Sequence, residues 1–155
     1  LRRGDNRARN RFTLVTPAEV ALVGATEKTV LQLVSATNVI LAVSGLEVTF
    51  DGISNTAEPV IVKVSRETTA GTATAATPKK IKDTSTALQC SGQYNASANP
   101  TEGDILKVFH VHPQAGVTIP LDLQGEIEVP TAGRLGVRIT APAAVNCHVT
   151  LTGEE

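Results

Sequence analysis

The chain has no tryptophan and no methionine, and only four aromatic residues in 155. Its core must therefore be built from Val, Leu, Ile and Ala. No apolar run approaches the ~20 residues of a membrane-spanning helix, so no membrane association is expected. The two cysteines, Cys90 and Cys147, are too few for a disulfide framework or a zinc site. They can pair only if the fold brings their Cα atoms to roughly 5–6 Å; free, buried thiols are the expectation. No G-x-S-x-G and no P-loop is present, and no catalytic residue is expected. No apolar signal segment follows the arginine-rich start. With Leu1 first and no Met anywhere, the expectation is a processed chain or one lacking its start.

What is present favours strands. Hydrophobic residues make up 41% of the chain, and Thr and Val recur throughout. Short runs with strand character cover Phe12–Thr16, Val20–Val23, Thr29–Ser35, Val39–Val43, Leu46–Phe50, Pro59–Arg66, Ile105–Val111, Val117–Leu121, Glu126–Val129, Arg134–Thr140 and Val145–Thr152. Asp51-Gly52, Ala115-Gly116, Thr131-Ala132-Gly133 and Ala141-Pro142 punctuate them. In Val145 to Leu151, Val, Cys, Val and Leu alternate with Asn, His and Thr, a period of two with one face buried. Leu135, Val137 and Ile139 alternate in the same way, and Val60, Val62 and Val64 share a face opposite Ile61, Lys63 and Ser65. Ala18–Gly24, after Pro17, is the one place where a turn of helix is a candidate. Many short strands with Gly and Pro between them predict an antiparallel β-sandwich or barrel.

Two segments stand apart. Residues 1–11 form a basic arm with five arginines and one acid, net +4, on a remainder with 9 basic and 14 acidic residues, net −5. Arg2, Arg3, Arg7, Arg9 and Arg11 are the candidate partner-binding residues, because guanidinium forks pair with carboxylates or phosphates. The arm has no aromatic residue for base stacking, so no specific nucleic-acid reading is expected. The tripeptide Arg3-Gly4-Asp5 sits within it and is read as part of the arm. Residues 12–155 are expected to form one sandwich domain with a long Ala/Thr-rich loop around 68–100, beginning "TTAGTATAATP". A connection of that length has a role or is mobile.

His110 and His112 are the most metal-like pair. Residues i and i+2 of a strand share a face, and cupin barrels bind metals that way. The cupin spacing is not met: Gly103 lies seven residues before His110, and no acid follows His112 until Asp122. Two ligands do not make a zinc or iron site. The pair reads as the polar face of a strand ending at Pro113, and no metal or other cofactor is expected. Glu126 and Glu128 would share a strand face and read as solvated.

"GDILKVFHVHPQAG" and "GEIEVPTAGRLGVRITAPAAVNCHVTLTGEE" carry a resemblance. They are similar to small structural proteins of tailed bacteriophages, over roughly residues 100–155 and touching Glu67 to Lys80. Thr131-Ala132 stands where glycines are typical of that pattern. The resemblance implies a virion protein on the outer capsid surface, of the capsid decoration or cement type, with a jelly-roll-like β-sandwich. It implies a non-enzymatic homotrimer that bridges neighbouring subunits of the major capsid protein. The alternative is a receptor- or carbohydrate-binding head of a phage fibre or tail. A metal-dependent cupin-type enzyme using His110 and His112 is the third reading.

Overall fold

A computed structural model describes residues 10–52, 58–82, 86–121 and 125–155, and every described element is a strand. In chain order these are β1 (Arg11–Val15), β2 (Val20–Leu22), β3 (Glu27–Val34), β4 (Leu41–Phe50), β5 (Val60–Glu67), β6 (Thr72–Ala76), β7 (Lys79–Lys80), β8 (Ser91–Ala98), β9 (Glu102–Val111), β10 (Val117–Pro120), β11 (Ile127–Val129), β12 (Arg134–Thr140) and β13 (Val145–Glu154). They form two antiparallel sheets. The first has the order β10-β4-β13-β1-β7, with β11 also on β4 and β2 also on β13; the second has the order β6-β8-β3-β12-β5-β9.

Setting β6, β7 and β8 aside leaves eight positions: β1 with β2, β3, β4, β5, β9, β10 with β11, β12 and β13. The first pairs with the last, the second with the seventh, the third with the eighth and sixth, and the fourth with the seventh and fifth. That is the doubly wound antiparallel order of a jelly roll. The sandwich expected from the strand pattern is present, and its central strands are β13 in one sheet and β12 in the other.

The inward faces follow the period-two pattern. Phe12 and Leu14, Leu46 and Val48, and Val149 and Leu151 come from the first sheet; Leu31 and Leu33, Val60, Val62 and Val64, and Leu135, Val137 and Ile139 come from the second; all are buried. Each such side chain contributes about 1.5–3 kcal/mol through burial, so a core with one fully buried aromatic, Phe12, suffices. A bulge at Val137/Arg138 skips Val30 in the β3–β12 register. Val30 is therefore buried beside its neighbour Leu31.

Four expectations are corrected. Ala18–Gly24 makes no helical turn: Val20–Leu22 pairs with Val145–Cys147 and so joins the first sheet. Val39–Val43 and Leu46–Phe50 are parts of one strand, β4. Ser44-Gly45 stays extended there because Gly45 has Thr152 on one side and Pro120 on the other. β9 begins at Glu102, three residues before Ile105, since its start pairs with the end of β5.

The largest correction concerns the loop around 68–100. It contains three strands: β6 and β8 extend the second sheet beyond β3, and β7 extends the first beyond β1. Small residues are what the place requires. A Cβ on Gly92 would sit 2.6 Å from Leu14 Cδ1, and Ala76, Ala96 and Cys90 are buried alongside. Packing against the other sheet, not hydrophobicity, makes this segment a pair of strands.

Candidate functional site

Joining β5 to β6, and β8 back to β9, requires the chain to cross the second sheet twice. The two crossings run side by side, with Thr68 N donating to Thr101 O at 2.9 Å. Gln32 on β3 and Asn99 in the second crossing tie them to the sheet. Gln32 Nε2 donates to Thr69 O (3.2 Å), Asn99 Nδ2 donates to Glu27 O (2.9 Å), and Asn99 Oδ1 accepts from Thr29 N (2.8 Å).

The centre of this region is Arg138. It lies on β12, opposite in direction to the core residues Val137 and Ile139, and the crossings bury it. Its Nε and Nη2 donate to Glu67 Oε1 (2.9 Å) and Oε2 (2.7 Å), a bidentate fork. Nη1 donates to Glu27 Oε1 at 2.9 Å, and Nη2 also donates to Pro100 O at 2.6 Å. Lys63 Nζ lies 2.7 Å from Glu27 Oε2 and 2.8 Å from Glu102 Oε1. Three carboxylates and two cations, from β3, β5, β9 and β12, thus form one network beneath the crossings.

The electrostatics follow from burial. The Glu67 side chain has no exposure and that of Arg138 only 6%. Burial pushes the Glu67 carboxyl above the usual carboxylate range, against the pull of the Arg138 fork. The Glu67 hydrogen bond raises Arg138 despite its own desolvation. Burial also acts upward on Glu27, but hydrogen bonds from Lys63 and Arg138 outweigh it and leave the group lowered. Desolvation acts downward on Lys63, and the bonds to Glu102 and Glu27 outweigh it and leave the group raised. Gly136 completes the arrangement: a Cβ there would run into the Glu67 carboxylate. Four of the five N–H donors of an arginine are engaged. Chemically the network is a clamp, with its charges turned on one another.

The residues singled out from sequence are scattered. Arg2, Arg3, Arg7 and Arg9, and the tripeptide Arg3-Gly4-Asp5, lie outside the described residues. Arg11 opens β1, directly opposite Glu154, with its Nε 3.4 Å from Glu154 Oε1. His110 and His112 are exposed at the end of β9, and His112 Nδ1 accepts from Gln114 N at 3.3 Å. His148 is on the other sheet, its Nδ1 3.0 Å from Thr16 Oγ1. Among the described residues no group of three His, Cys, Asp or Glu is placed to hold a metal. Cys90 and Cys147 are buried and unpaired with each other, as expected. Glu128 is exposed, and its carbonyl accepts from Arg66 Nη1 at 2.8 Å.

Sequence reasoning missed the clamp. Its only signal was an arginine inside the alternating run of β12, which the alternation placed on the wet face. Two other surfaces complete the picture. Ile61 on β5 and Ile105 and Val108 on β9 are 39–55% exposed, with His110 opposite Ile61 and Lys63 opposite Val108; among the described residues β9 is an edge of its sheet. At one end of the sandwich a cleft of about 480 Å³ is lined by Leu22, Val60, Pro113, Pro142 and Val145, with Asp51 at its rim. The Asp51 carboxylate is committed to Asn146 N and Nδ2, both at 2.8 Å. The four aromatics Phe12, Phe50, Tyr94 and Phe109 all lie in the core or pack against it. In comparisons with known proteins, no family model, no curated protein and no solved structure matches this chain.

Proposed function

We propose that the protein is a virion structural protein that decorates a bacteriophage capsid and stabilises it by bridging neighbouring subunits of the major capsid protein, as a homotrimer on the outer surface. One observation carries this reading. The phage-like residues 100–155 supply β9 to β13, which include the central strand of each sheet. The resemblance therefore concerns the scaffold, not an appended loop. A fold alone assigns no function, and two surface features add support. The exposed apolar side chains Ile105 and Val108 on the edge strand β9, with Ile61 on β5 beside it, suit contact with another subunit. The arginine arm, leaving from β1, suits docking on an acidic neighbour.

The fibre-head alternative is less well supported. Sugar sites stack rings on exposed aromatic faces, and all four aromatics here are turned to the core. Co-sedimentation with assembled phage-type capsids tests the proposal, comparing the full chain with one lacking residues 1–11. Binding that weakens with salt and on loss of the arm is the expected result. Failure of the full chain to bind both shells and isolated capsid subunits would remove the proposal.

A further inference from the structure

The edge strand β9 carries a bulge whose position selects its partner. Val64 pairs with Lys107 and Ser65 with Ile105, so the β5–β9 ladder skips Leu106. Leu106 and Lys107 therefore turn to the same side. Leu106 and Phe109 pack against the core, and Lys107 lines a narrow apolar slot between the sheets with Val64 and Leu135. Ile105 and Val108 are left on the outer side, 53% and 55% exposed. In a regular strand, residues three apart point to opposite faces; the bulge puts these two on one.

Of the described edge strands β9 is the longest. It has ten residues, against five in β6, four in β10, three in β11 and two in β7. Among the described residues no strand lies on its outer side, so a row of its backbone donors and acceptors faces outward. A regular strand laid on that edge falls out of step at the bulge: faces that match on one side of it are reversed on the other. The strand that stays in step has the same bulge at the same place, read in reverse. β9 of a second copy meets this condition. Turned about a dyad between Leu106 and Lys107, it sets Ile105 opposite Val108 of the second copy and Leu106 opposite Lys107 of the second copy, each twice. Outer side chains meet outer ones, and inner meet inner. The two isoleucines and two valines then form one cluster, with opposed Cβ atoms about 5 Å apart. Charge agrees with this register. Asp104 is exposed and lies two residues from Leu106, hence diagonal to Lys107 of the second copy and within reach of a long side chain.

We propose that β9 is a self-association edge, on which two copies of this chain pair their β9 strands antiparallel about a dyad between Leu106 and Lys107 and join their six-stranded sheets into one. The bulge and Lys107 guard the edge against other strands, and a copy of itself fits. One strand per copy is a small contact, at the weak end of specific interfaces. The inference goes beyond the capsid reading and does not rest on it: a trimer turns on a threefold axis, and this contact needs a twofold one.

Sedimentation equilibrium of the full chain at pH 7, over about 1 μM to 1 mM, reads whether the mass doubles with concentration. Doubling is the expected result. Val108→Lys should weaken it about tenfold or more. Val23→Lys, at a side chain 67% exposed just after β2, should leave it unchanged. Asp104→Lys and Lys107→Glu should each weaken it about fivefold to tenfold, because each brings like charges together twice. Mixed in equal amounts, these two variants should associate as tightly as the native chain, since each supplies the charge that the other lacks. Thermal melting checks that every variant folds. If Lys107→Glu does not, Val108→Lys and Asp104→Lys, both at exposed positions, carry the test. A mass that does not double, a doubling indifferent to Val108→Lys, or a mixture of the charge variants no tighter than either alone would overturn the dyad. A trimer that does not double but binds shells would overturn it and leave the capsid reading standing. Doubling with the expected pattern in a chain that ignores shells and capsid subunits would do the reverse.

Discussion

Replacing Arg138 with methionine removes the charge at the centre of the clamp and keeps most of the side-chain volume. Glu67, with no side-chain exposure, then loses both hydrogen bonds of its partner, and Pro100 O loses its donor. Removing one member of a buried ion pair costs about 3–5 kcal/mol, because the other charge is left uncompensated. For a chain of this size that corresponds to a fall in Tm of roughly 10 °C. Calorimetric melting at pH 7 measures it. Adding Glu67→Gln to the arginine variant should recover part of the loss, since the buried charge is gone.

The pH dependence supplies a second readout of the same variant. Burial already holds Glu67 above its ordinary pKa. Between the unfolded and the raised folded value the native state binds the extra proton, so the contribution of this group to stability falls as pH rises through that window. Loss of Arg138 widens the window upward. The deficit of the variant should therefore shrink when the pH is lowered from 7 toward 5. Arg138→Lys, which keeps the charge without the fork, should fall between the two and serves if the methionine variant does not fold. A loss below about 1 kcal/mol, or a double variant melting no higher than Arg138→Met alone, would show that the network does not hold the sheet.

Three further outcomes follow from particular residues. Gly136→Ala should destabilise by about 1–3 kcal/mol by overpacking, because its Cβ meets a Glu67 carboxylate that Arg138 prevents from moving; chemical denaturation reads this directly. Ala132 has φ +55°, a left-handed conformation unfavourable for a residue with a Cβ. Ala132→Gly should raise stability by roughly 0.5–1 kcal/mol in the same assay, the relief of strain exceeding the added entropy of the unfolded chain. Burial pushes both thiols, Cys90 and Cys147, up to about 12. A thiol reagent in excess at pH 8 should leave the native protein unlabelled over minutes and modify both cysteines in guanidinium; rapid labelling of the native protein would contradict the burial of that thiol.

The sandwich was legible where side chains alternate by size and polarity. β5, β12 and β13 carry Val, Leu and Ile against Lys, Arg, His and Thr, and their inner faces follow directly from period two. β6 and β8 were not legible. Apart from Tyr94, their residues are Thr, Ala, Ser, Gly, Gln and Asn, so the contrast that marks a buried face is nearly absent, and the segment has the composition of a loop. Ser44-Gly45 misled in the opposite sense, as turn residues that neighbours on both sides keep extended. Ala132 was read only as part of the turn Thr131-Ala132-Gly133, and its left-handed backbone carries no mark in the sequence.

The clamp and the β1–β7 pairing were invisible for a different reason. Glu27 and Glu102 begin their strands and Glu67 ends its own, where charged residues are ordinary. Only the strand order brings them under Arg138. Likewise Lys79 and Lys80 look like the polar edge of a loop until β7 is seen to pair with β1. Both features depend on the same insert between β5 and β9. The clamp fixes its two ends, at Glu67 and at Pro100 with Glu102, and the β1–β7 rungs fix its middle. A segment with little hydrophobic surface is thus held by charge at its ends and by backbone pairing at its centre. That arrangement places its lysines beside Arg11, on the β7 edge of the other sheet.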